Sequence, residues 1–285
     1  MNIIIFGASG MLGQALSQRC KHSGFTVYEC TSKTVDITQQ AKVNNFFKQF
    51  KSIDYVINCA AYTKVDDCET QTDLANKING TSIQYLAEAT KKLNGIFIQI
   101  STDYVFNGQS TTPYTETDSP DPINAYGYSK WLGEKACQEH CPNHYILRVQ
   151  WLYGQNGKHF VDTIKNLMQT RDTLNVINDQ IGSLTCVESL SSYIITLIKN
   201  NAPFGIYNVS DQGYASWYDI TLEIATLTNY KGTINPIPTT DYPLPAKRPA
   251  NSRLDCSKLE QAIGKIRATW QNQLKTYIIT TRETL

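Results

Sequence analysis

The stretch Ile3–Leu16, IIIFGASGMLGQAL, passes from an apolar strand through a glycine-rich turn into a helix. Gly7, Gly10 and Gly13 fall at the strand end, in the turn and in the first helical turn. The first glycine permits a tight turn, the second lets backbone approach a pyrophosphate, and the third lets helix and strand pack closely. A helix N-terminus there presents free N–H groups and the positive end of a dipole to phosphate. The spacing is G-x-x-G-x-x-G, and a glycine triplet carries little alone. The strand before it and the helix after it make it a dinucleotide site.

Outward from that unit, strands and helices alternate. Helices are expected over Met11–His22, Gln39–Phe50, Asp73–Leu93 and Ala125–His140. Apolar strands are expected over Phe25–Glu29, Asp54–Asn58, Ile96–Ile100 and His144–Leu147. This alternation predicts a doubly wound α/β fold, a Rossmann-type parallel sheet covered on both faces. Later helices are expected over Lys158–Thr170, Val187–Asn200 and Trp217–Thr228. Lys231–Pro249, with five prolines in INPIPTTDYPLPAKRP, reads as extended loop. The division expected is 1–150 for dinucleotide binding and 151–285 for a smaller C-terminal substrate-binding lobe, with about 178–200 packing back on the sheet.

The tip of the second strand should meet the adenosine ribose. Ser32 and Lys33 there would suit a 2′-phosphate and NADPH. Glu29 would favour NADH if the strand ended earlier.

Two later motifs carry chemistry. NAYGYSKWLGEKA places Tyr126 and Lys130 four apart on a helix, so phenol and ammonium share a face. A free tyrosine has a pKa of about 10, and a nearby cation lowers it. The pair can then exchange a proton with a substrate oxygen near neutral pH. ISTDYVFNG ends a strand with Ser101, Thr102, Asp103 and Tyr104, where ligands of such sheets bind. Thr102 is expected to hydrogen-bond a substrate carbonyl oxygen beside Tyr126. Asp103 and Tyr104 are expected on the rest of the substrate, with Val105 and Phe106 anchoring the loop. In NCAAYTKVDDCE, the small Ala60 and Ala61 let a dinucleotide lie close to backbone, and Tyr62 and Thr63 follow as cofactor contacts.

The composition sets limits. Formal net charge is +1 over 285 residues, so no global field favours nucleic acid or an anionic membrane. No apolar run reaches membrane-spanning length. The N-terminal residues lack a basic stretch followed by a cleavable apolar segment, so a cytoplasmic location is expected. Eight scattered cysteines without a C-x-x-C argue against a disulfide framework. Cys137, His140, Cys141 and His144 have helical spacing, but Pro142 should end the helix, so no metal site is expected.

These motifs, together with DIT at Asp36–Thr38, VINDQIGSLT, WYDI and PAKRPANSRLD, resemble the extended short-chain dehydrogenases/reductases over nearly the whole chain. The likeness is greatest to their branch that reduces dTDP-4-dehydro-L-rhamnose to dTDP-L-rhamnose for surface polysaccharide. The resemblance implies a catalytic trio of Thr102, Tyr126 and Lys130. It implies NADPH, with NADH also usable, held by Gly7, Gly10, Met11, Leu12, Asp36, Ile37, Ala60, Ala61, Tyr62 and Thr63 as well as Tyr126 and Lys130. It implies sugar contacts at Val65, Thr102, Asp103, Tyr104 and Trp151. Arg248 is the candidate for the substrate diphosphate, since guanidinium matches phosphate oxygens. A nucleotide sugar is the expected partner, and a homodimer is left open. Two departures stand out. Leu184 replaces the usual proline before Thr185, and Val149-Gln150 replaces small hydroxyl residues between Arg148 and Trp151. Other readings are a reductase of a different 4-keto deoxysugar, or a non-catalytic NADP-binding subunit similar to that of methionine adenosyltransferase.

Overall fold

The computed structural model describes residues 1–282. In chain order the first half contains β1 (Asn2–Phe6), α1 (Met11–His22), β2 (Thr26–Cys30), α2 (Gln40–Phe47), β3 (Tyr55–Asn58), α3 (Val65–Cys68), α4 (Thr72–Asn76), α5 (Ser82–Lys92), β4 (Ile96–Thr102), α6 (Ala125–His140) and β5 (His144–Val149). The second half contains β6 (Leu152–Tyr153), α7 (Phe160–Met168), β7 (Thr173–Ile177), β8 (Ile181–Gly182), β9 (Thr185–Cys186), α8 (Val187–Lys199), β10 (Gly205–Val209), β11 (Ala215–Ser216), α9 (Trp217–Thr228), β12 (Thr233–Ile237), α10 (Ser257–Ile263) and α11 (Trp270–Arg282).

Six of these strands form one parallel sheet in the order β10-β5-β4-β3-β1-β2. The interior strands are buried on both faces, which is why they read as unbroken apolar runs. One face packs Ile3, Ile5 and Leu147 against α1, α8 and α10 through Leu16, Leu190 and Leu259. The other packs Ile4, Phe6 and Ile146 against α2, α5 and α6 through Phe47, Leu86 and Cys137. The doubly wound parallel sheet is as expected. Its sixth strand, β10, comes from residues 205–209, beyond the segment expected to fold back. A third core joins α7, α9 and α11 through Ile164, Ile224 and Leu274.

Three local features differ from the sequence reading. The helix expected over Asp73–Leu93 is interrupted by a π-turn at Lys77–Thr81. Within Lys231–Pro249, β12 pairs in parallel with β7, placing Pro236 opposite Val176. The two-stranded sheet has an open edge, so a proline without an N–H is tolerated there. β4 and β5 each run two residues further than expected, carrying Ser101, Thr102, Arg148 and Val149 into the sheet.

At Cys137–His144, His140 faces Glu88 at 3.2 Å, and His144 bonds the Cys141 carbonyl at 2.7 Å. No described helix is long and apolar enough to cross a membrane.

Candidate active site

The loop after β1 turns through Gly7 at φ +74°, and α1 lies so close that a Cβ on Gly13 would sit 2.2 Å from the Gly7 carbonyl oxygen. α1 has no acidic residue in its first turn and no side-chain cap. Its first N–H groups therefore have no side-chain acceptor, as an anion site at a helix N-terminus requires.

A cavity of about 640 Å³ opens at the carboxyl ends of β1, β3, β4 and β5. Gly10, Met11, Leu12 and Gly13 form its phosphate-loop end. Ala61, Thr63 and Val65 follow from the loop after β3. Thr102, Asp103, Tyr104, Tyr126, Lys130 and Trp151 complete the set of expected residues brought together. The proximity of α6 has a sequence cause. A Cβ on Gly127 would meet the Tyr104 carbonyl oxygen at 2.0 Å, so only glycine lets the helix seat on the turn after β4. Tyr104 and Tyr126 then meet edge to face with ring centroids 5.8 Å apart. Asn124 caps the helix, accepting from the Gly127 N–H at 2.7 Å. Val105 and Phe106 are buried, and Phe106 stacks on Tyr114 at 4.3 Å.

Lys130 is buried and donates to the Ile100 carbonyl oxygen at 2.6 Å. Burial lowers its pKa to about 8, with Glu134 and Cys59 opposing. Burial raises the Tyr126 phenol, Asp103 adds to the rise, and the Thr102 hydroxyl opposes it. Among the described residues, no hydrogen bond joins Lys130 to the Tyr126 phenol. The ammonium reaches across to the sheet instead of along its own helix. Burial also raises Asp103, to about 6, against hydrogen bonds from Ser252 and Thr102.

Other expected residues lie outside the cavity wall. Gly7 sits beneath the turn, and Ala60 is fixed by the Asn58 side chain. Asp36 accepts from Thr38 and Gln39, which lower its pKa, and Ile37 is buried in the second core. Tyr62 is clamped by Asn79, which accepts from its N–H at 2.8 Å and donates to its carbonyl at 3.0 Å. Arg248 is also outside the cavity lining. Its guanidinium forms a two-pronged pair with Asp66 at 2.5 and 2.7 Å and donates to the Ala246 carbonyl. It also reaches the Tyr104 hydroxyl. These bonds engage Nη1 and one Nη2 hydrogen of the guanidinium within the protein.

At the second strand, Glu29 lies one residue inside β2. Its carboxylate is held by Lys21 and Ser17, which lower its pKa. Ser32 and Lys33 are exposed just past the strand end. These residues fit a 2′-phosphorylated dinucleotide.

The sequence reading missed several contributors. Glu134 pairs with Arg148 at 2.7 Å, both nearly fully buried, and accepts from Ser101 at 2.5 Å. Its spacing, four residues after Lys130, was a legible signal. Asn79 sits in the π-turn, where no regular period marks it. Trp217 stacks on Trp151 at 3.7 Å and joins the cavity wall from a distant helix. The two departures adjoin: the Ser183 N–H, beside Leu184, donates to Gln150 Oε1 at 2.9 Å.

The family described as RmlD substrate binding domain matches residues 1–283. The chain belongs to that family. Among solved structures, the family likeness extends to a dTDP-4-dehydrorhamnose reductase of Clostridium acetobutylicum ATCC 824, 40% identical with a TM-score of 0.95, covering 99% of this chain and 100% of that one. A dTDP-4-dehydrorhamnose reductase of Bacillus anthracis str. Ames, in complex with NADP, is 34% identical with a TM-score of 0.93, covering 98% and 99%. The spore coat polysaccharide biosynthesis protein SpsK of Bacillus subtilis (strain 168) is 37% identical over 276 residues, covering 97% of this chain and 96% of its own.

Proposed function

We propose that this protein reduces the 4-keto group of dTDP-4-dehydro-L-rhamnose to dTDP-L-rhamnose with NADPH, for surface polysaccharide. One observation carries the reading: a phosphate loop and the Thr102–Tyr126–Lys130 trio line the same cavity. Related chains named as reductases of this substrate, one of them holding NADP, support it.

In this reading residues 1–150, with α8 and β10, hold the dinucleotide, and the lobe around the third core closes over the sugar. When bound, NADPH supplies a hydride to C4. The raised Tyr126 phenol is protonated at neutral pH and donates its proton to the C4 oxygen. Thr102 orients that oxygen. The buried Lys130, with its pKa near 8, can pass a replacement proton inward. The intact trio favours an enzyme over a non-catalytic NADP-binding subunit.

Incubation with dTDP-4-dehydro-L-rhamnose should oxidise one NADPH per sugar reduced. An absence of substrate-dependent oxidation would sink the reading. Turnover only with a different dTDP-linked 4-keto sugar would favour the second reading, which Gln150 at the sugar end supports.

A further inference from the structure

Arg148, Glu134 and Lys130 are buried charged side chains brought together where α6 packs on β4 and β5. Arg148 of β5 donates to Glu134 of α6 through Nε at 3.0 Å and Nη2 at 2.7 Å. Their side chains are 1% and 2% exposed. Glu134 Oε1 also accepts from the Ser101 hydroxyl of β4 at 2.5 Å. Lys130, one helical turn before Glu134, donates to the carbonyl of Ile100, the residue before Ser101. Residues four apart share a helix face, so ammonium and carboxylate are neighbours over β4. The sheet order separates the two cations, because β4 stands between β3 and β5. Arg148 is on the β5 side, in register with Ser101. Lys130 interacts with Cys59, just past the end of β3, on the other side. Glu134 is the anion between them. A buried ammonium without a counter-charge is costly and sheds its proton. The other groups facing Lys130 do not supply one. Burial pushes the Cys59 thiol up to about 12 and raises the Tyr126 phenol, so both are neutral at physiological pH. Asp103, the carboxylate of the cavity lining, follows Thr102 and acts on Tyr126.

We propose that Glu134 is a positioning residue for the reaction: its carboxylate, held by Arg148 and Ser101, is the counter-charge that keeps the buried Lys130 an ammonium. Glu134 acts through Lys130 and touches neither substrate nor cofactor. For stability alone, a buried ion pair is often no better than apolar side chains of similar volume. For the reaction the charge has a use. Each turnover leaves Tyr126 as a phenolate that must regain a proton. A buried ammonium can pass one inward, and a neutral amine is a far weaker acid. Without Glu134, Lys130 becomes an amine at lower pH, and the range in which Tyr126 is recharged shrinks from its alkaline side.

The catalytic half of the inference rests on the reductase reading, and stability against pH tests the charge pairing apart from turnover. Between about 8 and 10.5 the unfolded chain holds the Lys130 proton more firmly than the folded one, so stability rises with pH across that window. Glu134→Gln combined with Arg148→Met removes both charges of the pair, keeps an oxygen for Ser101 and leaves neither partner buried alone. The onset of the rise in denaturant melts should then move down by at least about half a pH unit. The alkaline limb of kcat against pH should move down with it. Ser101→Ala, which keeps every charge, should leave both in place. Arg148→Met alone is the second variant. Glu134 then has only Lys130 as a cation, and both features should move up. An unmoved or reversed shift in either Arg148 variant that still binds NADPH would overturn the inference. Loss of folding in both would do the same, assigning the pair to stability alone. Failure of the reductase reading has a different signature: wild-type protein does not turn over dTDP-4-dehydro-L-rhamnose, which removes the catalytic half, and the stability onset still decides the pairing.

Discussion

The Lys130 ammonium bonds the Ile100 carbonyl across the cavity floor, and no hydrogen bond joins it to Tyr126, four residues back on the same helix. Helix spacing brings the two groups to one face, but burial decides their states. The ammonium is pushed down to about 8 and the phenol upward, so neither loses its proton to the other at neutral pH. For a reductase the protonated phenol is the useful state.

Replacing Tyr126 with phenylalanine should therefore cut turnover by about 10²–10⁴-fold, the usual worth of a general acid. Ring packing against Tyr104 survives, so NADPH binding should persist. Steady-state kinetics with a separate cofactor titration checks both halves, and near-normal turnover would remove Tyr126 from the acid role.

Lys130→Met should abolish most turnover and change the pH dependence of stability. The folded pKa lies below the ordinary lysine value of 10.5. Between about 8 and 10.5 the unfolded chain binds more protons, so wild-type stability gains with rising pH there. Below that window the cost of burying the charge is fully present. The variant should lose this gain, and at pH 7 the lost Ile100 bond and the relieved burial oppose each other, leaving Tm within a few degrees. Thermal melts across pH decide it; an unchanged slope in that window would refute the shift.

Asp103→Asn should stabilise the protein at pH 7 while impairing turnover. Its folded pKa is raised by burial from 3.8 to about 6. Between those values the folded state binds more protons, so wild-type stability falls as pH rises through the window. Two pH units correspond to roughly 3 kcal/mol, and the newly buried amide hydrogens reduce the gain to about 1–2 kcal/mol. Denaturant melts at pH 4 and pH 7 should show the advantage only at the higher pH.

Cofactor choice should follow the tip of β2. With Glu29 held by Lys21 and Ser17, no free carboxylate faces a 2′-phosphate, and Lys33 offers an exposed, flexible charge. A lysine is a point charge and not a planar fork, so NADPH should be preferred by less than about a hundredfold. Lys33→Ala should reduce that preference and spare NADH use. Comparing kcat/KM for both cofactors in both proteins is the measurement, and a wild-type preference for NADH would contradict the assignment.

Local sequence was enough for the βα phosphate unit, the parallel sheet and the Thr102, Tyr126 and Lys130 positions. Each depends on short-range rules: apolar runs for buried strands, glycines for a turn, spacing of four for one helix face. The partners of those groups were a matter of tertiary structure. Lys130 finds Ile100 and Arg248 finds Asp66 because chain segments far apart in sequence are packed together, and no period records that packing. The π-turn carrying Asn79, the Trp217 wall and the sixth strand at 205–209 belong to the same class. The pKa values belong there too, since desolvation depends on everything that surrounds a group. The sequence by itself determined which chemical groups the site would contain; the fold decided which were buried, which were already bonded, and which were left for a ligand.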